Sequence, residues 1–160
     1  MTFAARVLTV SDGVVAGVRE DASGPALVAR LTVAGAVVDR TAVCDDGVES
    51  VGAALRDLTE GFAGLVVTTG GTGFGPRDLT PEGTRAVIER EAPGFVEAVR
   101  RASDASGRPF GMLSRAVAGT VGRALVVNLP GSPTGAVEAL EVCLPGVPHA
   151  LDLLAGGRPH

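Results

Sequence analysis

No lysine occurs in the chain; all 14 of its basic residues are arginines. That absence excludes a lysine-dependent P-loop and any Schiff-base chemistry on a lysine amine. Trp and Tyr are missing too, which leaves five Phe as the whole aromatic complement. The arginines are scattered apart from Arg100-Arg101, which sit on an expected helix and read as a solvated face. A nucleic-acid-binding protein would carry a basic stripe and stacking aromatics, and this chain has neither. Cysteine is scarce: Cys44 and Cys143 stand far apart among apolar neighbours, without a Cys-x-x-Cys spacing. They read as small buried hydrophobes of a reducing compartment. His149 and His160 have no Cys or His partner at zinc-ligand spacing, so any metal is expected to be a hard cation on carboxylates. No apolar run approaches the roughly 18 residues of a membrane helix. The short apolar stretch that ends at Ser11-Asp12 is too weak for a signal peptide, so a cytoplasmic location is expected, with no membrane partner.

What remains is aliphatic and mildly acidic: 160 residues, 46% hydrophobic, net charge −4. This is enough for one domain with a sizeable core. Apolar runs at Arg6 to Val10, Ala36 to Cys44, Gly64 to Thr69 and Ala124 to Asn128 read as strands. Helical spacing covers Pro25 to Val33, Val48 to Glu60, Pro81 to Glu91, Gly94 to Ser106 and Pro133 to Leu144. Ser114 to Thr120 is a candidate extra strand, turning at Val121-Gly122-Arg123 to pair with Ala124 to Asn128. The alternation predicts an α/β fold, a three-layer α/β/α sandwich whose mainly parallel sheet has one antiparallel partner strand. A single domain over 1–155 is expected, then a tail over 156–160, because Pro145, Gly146 and Pro148 break the last helix.

The strand ends carry the polar residues. The four runs finish in Ser11-Asp12-Gly13, Asp45-Asp46-Gly47, Gly70-Gly71-Thr72-Gly73 and Asn128-Leu129-Pro130-Gly131-Ser132. In a parallel sheet these ends share one edge, where ligands bind near a switch in strand order. Pro25, Pro81 and Pro133 suit first helical positions, with Thr80 and Ser132 as N-caps of the last two. Helix N-termini offer free N–H groups to phosphate, so this edge is expected to bind anions.

The stretch TTGGTGFGPRDLTPEGT, Thr68 to Thr84, is the densest signal. By itself the glycine cluster is equally a tight strand-to-helix connection. It does not fit G-x-G-x-x-G in either register, because Pro76 and Asp78 stand where a third glycine would be. Glycines 70, 71 and 73 let backbone N–H groups approach phosphate oxygens. Asp78 could hold Mg²⁺ bridging phosphates, and Arg77 could pair with a phosphate bidentately. That is the chemistry of phosphoryl or nucleotidyl transfer.

These motifs resemble the MogA/MoaB family of molybdenum cofactor biosynthesis proteins. The resemblance rests on Thr69 to Gly73 with Arg77-Asp78-Leu79-Thr80-Pro81, and on Ser11-Asp12, Asp21-x-Ser23-Gly24-Pro25, Val43-x-Asp45-Asp46, Leu113-Ser114-Arg115 and Asn128 to Ser132. It implies a single α/β domain, commonly a homotrimer, that binds molybdopterin. It also implies a Mg²⁺-dependent nucleotidyltransferase, with ATP as co-substrate, that forms adenylylated molybdopterin and pyrophosphate for a downstream molybdenum-insertion protein. Carried over, Asp45 and Asp78 are the catalytic and Mg²⁺-binding candidates. Gly70, Gly71, Thr72, Gly73 and Thr80 are expected at nucleotide or substrate phosphate, as are Ser11 and Asp12. Asn128, Pro130, Gly131 and Ser132 form a second anion cradle, and Ser114 and Arg115 lie near the pterin end. Plainer roles stand beside these: Asp45 as a turn or helix-capping residue, Asp78 as an organiser of its own loop, Asp12 as a turn residue. Glu82 reads as a complement to a helix dipole, and Phe74 as packing under the loop. Cys44 stands where the family usually has proline, so the turn presenting Asp45 is expected to differ slightly. The alternatives are a MoaB-type molybdopterin-binding protein without adenylylating activity, and an unrelated nucleotide-binding α/β enzyme such as a phosphatase.

Overall fold

Among the described residues, 2–107 and 111–158 of the computed structural model, strands and helices alternate along the chain. The strands are β1 (Phe3–Val10), β2 (Ala36–Cys44), β3 (Ala63–Thr69), β4 (Arg90–Glu91), β5 (Ala118–Val121) and β6 (Arg123–Leu129). The helices are α1 (Asp12–Val15), α2 (Ser23–Val33), α3 (Val48–Thr59), α4 (Thr80–Arg85), α5 (Pro93–Ala105), α6 (Pro133–Cys143) and α7 (Val147–Leu154). The strands form one sheet in the order β2-β1-β3-β6-β5-β4. The first four strands of that order pair in parallel, while β5 runs antiparallel to both of its neighbours.

Alternation along the strands builds the three layers. Ala5, Val7, Leu65, Val67, Leu125 and Val127 point to one face, against Leu27 and Leu31 of α2 and Leu140 of α6. Leu8, Val10, Val66 and Val126 point to the other, against Val51, Leu55 and Leu58 of α3. Each fully buried leucine stabilises the fold by about 1.5–3 kcal/mol relative to exposure. With both faces covered, the central strands are apolar on each side, which is why they read as continuous runs.

Several boundaries differ from the sequence reading. β1 begins at Phe3 rather than Arg6, since Phe3 and Ala5 complete the core. The helix expected over Pro81 to Glu91 ends at Arg85, and Arg90–Glu91 form β4 instead. Val87 and Ile88, which suggested more helix, pack against the α3-side core. Glu89 and Ala92 then donate backbone hydrogen bonds to Thr120 and Ala118 at 2.8 Å each, capturing the segment as an edge strand. The expected hairpin is present, with Gly122 at φ 54° in its turn, though β5 starts at Ala118. α2 starts at Ser23, ahead of Pro25; the Asp21 carboxylate accepts from the Gly24 N–H at 2.9 Å and supplies its cap. Beyond α6 the chain makes a 3₁₀ turn over Leu144–Gly146 and becomes helical again as α7. Pro159 and His160 of the expected tail lie outside the described residues. No helix among the described residues is long and apolar enough to cross a membrane.

Candidate functional site at the carboxyl edge of the sheet

β1 leads through α2 to β2 on one side, whereas β3 lies on its other side and leads on toward β6. The connections therefore diverge between β1 and β3, and the crevice falls where an open α/β sheet places its ligand. A cavity of about 470 Å³ opens there, lined by Ser11, Asp21, Asp46, Gly71, Asp78 and Ser132 among others. A second cavity of about 480 Å³ lies across the glycine loop, between Gly73, Ser114 and Pro130 and the apolar side of α5 and α6 at Val99 and Ala139. Ser132 borders both. A third cavity, about 520 Å³, sits at the opposite end of the strands near Phe62 and Arg123, and none of the expected site residues lines it.

The glycine loop reaches this edge because glycine is required twice. Gly70 has φ 100°, and a Cβ there would lie 2.3 Å from the Val10 carbonyl oxygen. Gly71 has φ 67°, and its Cβ would meet Thr80 Oγ1 at 2.3 Å and Asp46 Oδ1 at 3.0 Å. No L side chain fits such contacts without the loop moving away. Thr69 Oγ1 donates to the Pro130 carbonyl at 2.7 Å, which joins this loop to the one after β6. Thr80 does not act as an N-cap: α4 begins with it, and its hydroxyl donates back to the Gly70 carbonyl at 2.9 Å. Ser132 does cap α6, accepting from the Gly135 N–H at 3.1 Å. Phe74 is not packed under the loop; it is 70% exposed.

Arg115 organises this loop from the side of the second cavity. Its backbone N–H donates to Thr72 and its Nε to Gly73, at 2.9 and 2.8 Å. Its two terminal nitrogens donate to the Asp78 carbonyl and the Glu82 carboxylate. Burial works against the charge on Glu82, but Arg115 holds that carboxyl below its ordinary range. Glu82 thus anchors an arginine, a link the sequence did not disclose. Ser114, expected with Arg115, lines the second cavity, and its carbonyl accepts from Arg100 Nε at 3.0 Å.

The carboxylates arrive from three loops. Asp78 accepts from the Gly75 N–H at 2.9 Å and also faces the first cavity, so it orders its loop and remains presented. Asp12 and Asp46 bond reciprocally: each backbone N–H donates to the other's carboxylate, at 2.9 and 3.0 Å. Arg77 holds the Asp12 carboxylate bidentately at 3.0 Å and donates to the Asp46 carbonyl at 2.8 Å. The Asp12 carboxyl consequently sits below its ordinary pKa, chiefly through Arg77. Asp46 is shifted upward, first by burial and then by the neighbouring charges of Asp12 and Asp78. Asp45 is exposed and does not line this cavity; its backbone carbonyl accepts from Ser50 Oγ at 2.7 Å. Where the sequence pointed to Asp45 with Asp78, the cavity itself therefore holds Asp46 with Asp78. The sequence reading chose Asp45 of the adjacent pair, whereas it is the Asp46 carboxylate that accepts from the Asp12 N–H and lines the crevice.

Ser11 borders the same cavity but its Oγ caps α1, accepting from the Val14 N–H at 3.2 Å. Asn128 is 2% exposed, and its side chain works inside the fold rather than at the cavity. Its Nδ2 donates to Thr68 and Thr84 at 3.0 and 2.9 Å, and its Oδ1 accepts from the Val117 N–H at 3.2 Å. The loop at the crevice starts three residues later, at Gly131, while Pro130 lines the second cavity. Among the described residues no group of three or more His, Cys, Asp or Glu is gathered for a metal. Two carboxylates suffice for hydrated Mg²⁺ that takes its remaining ligands from substrate phosphates and water, so Asp46 and Asp78 suit such an ion. The thiols are inert by comparison: burial pushes Cys44 up to about 11 and Cys143 up to about 12.

Comparison with known proteins agrees with this geometry. Residues 6–151 match the family described as "probable molybdopterin binding domain". The molybdopterin adenylyltransferase of Helicobacter pylori strain J99 is 37% identical over 153 residues, spanning 94% of this chain and 86% of that protein. The solved structure of the molybdopterin biosynthesis enzyme MoaB from Thermus thermophilus superposes with a TM-score of 0.88 at 42% identity, covering 98% of both chains. The molybdenum cofactor biosynthesis bifunctional protein of Chlorobaculum tepidum is 37% identical over 151 residues, but there the chain spans 94% of its own length and only 48% of its relative's. With its motifs, its sheet order and its carboxyl-edge crevice in agreement, the chain belongs to the MogA/MoaB family of molybdopterin-binding, molybdenum cofactor biosynthesis proteins.

Proposed function

We propose that the protein is a molybdopterin adenylyltransferase. The terminal phosphate oxygen of molybdopterin attacks the α-phosphorus of ATP, the bond to the β-phosphate oxygen breaks, and pyrophosphate leaves. The observation that carries this reading is the crevice between β1 and β3, where the glycine loop, the capped start of α6 and the carboxylates of Asp46 and Asp78 converge. Backbone N–H groups of Gly71, Thr72 and Gly73 and of Gly131 and Ser132 serve as donors to the phosphates. The neighbouring cavity, with Val99 and Ala139 on its wall, suits a flat ring and leaves Ser114 at its polar rim. Mg²⁺, when bound, neutralises phosphate charge, and Asp78 with Asp46 or Asp45 would hold it. No side-chain nucleophile is required, because the attacking oxygen belongs to the substrate.

A homotrimer in the cytoplasm, delivering its product to a molybdenum-insertion protein, completes the proposal. The 42% identity to a MoaB structure favours a second reading, molybdopterin binding without adenylylation. Incubation with molybdopterin, ATP and Mg²⁺ separates the two. Pyrophosphate release that needs both substrates supports transfer, whereas tight pterin binding with no pyrophosphate supports the binding role.

A further inference from the structure

We propose that Arg77 is a positioning residue for this transfer, acting through Asp12 to fix the Asp46 carboxylate; the proposal rests on the adenylyltransferase reading. Arg77 does not line the crevice. Its guanidinium reaches across from the glycine loop to both oxygens of Asp12 at 3.0 Å and to the Asp46 carbonyl at 2.8 Å. Asp12 in turn donates its N–H to Asp46 Oδ2 at 2.9 Å and accepts from the Asp46 N–H at 3.0 Å. With Oδ2 held, Oδ1 is directed toward Gly71, 3.0 Å from where a Cβ would sit there. One arginine thus ties together the loops after β1, β2 and β3, with Asp78 next to it in the chain.

The electrostatics point the same way. Asp12, Asp46 and Asp78 arrive together at an edge that must accept polyphosphate, in a chain without lysine. Arg77 answers one of those charges and leaves Asp46 and Asp78 presented. A planar fork is needed to hold two carboxylate oxygens and a carbonyl at once, which an ammonium cannot do. Of the conservative exchanges, Arg77→Lys is therefore a poor replacement.

Steady-state kinetics of Arg77→Met, Arg77→Lys, Asp12→Asn and Arg77→Met/Asp12→Asn test the idea, with thermal unfolding measured alongside. A misplaced reacting group costs transition-state contacts, so kcat should fall roughly tenfold or more in Arg77→Met. KM for ATP and for molybdopterin should stay within about twofold, Arg77→Lys should restore little, and Asp12→Asn should reproduce the loss. Because both act through one clasp, the double variant should be no worse than either single one. Unchanged kcat in Arg77→Met overturns the proposal. So does a raised KM in Arg77→Met while Asp12→Asn stays fully active, since Arg77 would then grip substrate itself. If the wild-type protein releases no pyrophosphate, the functional reading fails on its own, and the crystal structure of Arg77→Met still judges the clasp. Asp46 is expected to leave its place beside Gly71, and an Asp46 carboxylate that stays there refutes the proposal.

Discussion

Replacing Gly70 by alanine tests how closely the glycine loop must approach β1. Two costs add. The backbone at φ 100° is one that L residues rarely adopt, which costs about 1–3 kcal/mol. The new Cβ would also lie 2.3 Å from the Val10 carbonyl oxygen, a backbone atom inside the sheet that has no freedom to swing aside. Overpacking of this kind costs about 1–3 kcal/mol more. The expected loss is therefore about 4 kcal/mol, or roughly 8–16 °C in Tm for a domain of this size. Urea unfolding should show the midpoint falling with an unchanged slope. Gly61→Ala is the internal control: its φ is 61° and nothing lies within 4 Å of its Cβ, so it bears the backbone cost alone, about 1 kcal/mol. If Gly70→Ala is no less stable than Gly61→Ala, the close approach of loop and strand is refuted.

Asn128→Ala should lower stability by about 2–4 kcal/mol in the same urea experiment, because it removes the partner of the buried Val117 N–H and an amide shared by Thr68 and Thr84; a change below about 0.5 kcal/mol would contradict the buried network. The Asp39 carboxyl is held below its ordinary value, first by its hydrogen bond with Arg6. Its contribution to stability is present above the ordinary carboxylate value of about pH 4 and is lost as pH falls through the lowered one. The stability gap between wild type and Asp39→Asn should accordingly close with falling pH in denaturation series, and a gap that widens would refute the pairing. Asp46→Asn and Asp78→Asn should each reduce kcat at least tenfold with the fold intact by circular dichroism, with Asp45→Asn the milder of the three. Asp45→Asn proving the most damaging would return the catalytic role to the exposed carboxylate.

Much of the architecture is legible in the chain because the central strands are buried on both faces. Leu65 to Val67 and Leu125 to Val127 had to be apolar runs whatever lay beside them. The edge was less readable. Arg90–Glu91 has no pattern of its own and is a strand only through its pairing with β5. Val87 and Ile88 imitate a further helical turn, yet their burial is met from a loop. At the site, the glycine loop and the Ser132 cap announce themselves, since φ above zero and an N-terminal hydroxyl each have few suitable residues. The division of labour between carboxylates does not. Asp45 and Asp46 are adjacent and chemically alike, and the contacts that hold Asp46 at the crevice come from Asp12 and Arg77, 34 and 31 residues away. Asn128 and Arg115 were hidden in the same way. Their partners, Thr84 and Gly73, are 44 and 42 residues away, so a polar side chain near a strand end reads as a ligand group until the packing is seen.

The central claim is that the β1/β3 crevice moves AMP, and isotope tracing measures this most directly. The protein is incubated with molybdopterin, Mg²⁺ and ATP labelled at either the α- or the γ-phosphate, and the pterin and pyrophosphate fractions are separated. Adenylyl transfer predicts α-label on the pterin, γ-label in pyrophosphate, and loss of both transfers in Asp78→Asn. Label from the γ-position on the pterin, or no label on it with folded, pterin-bound protein, would contradict it.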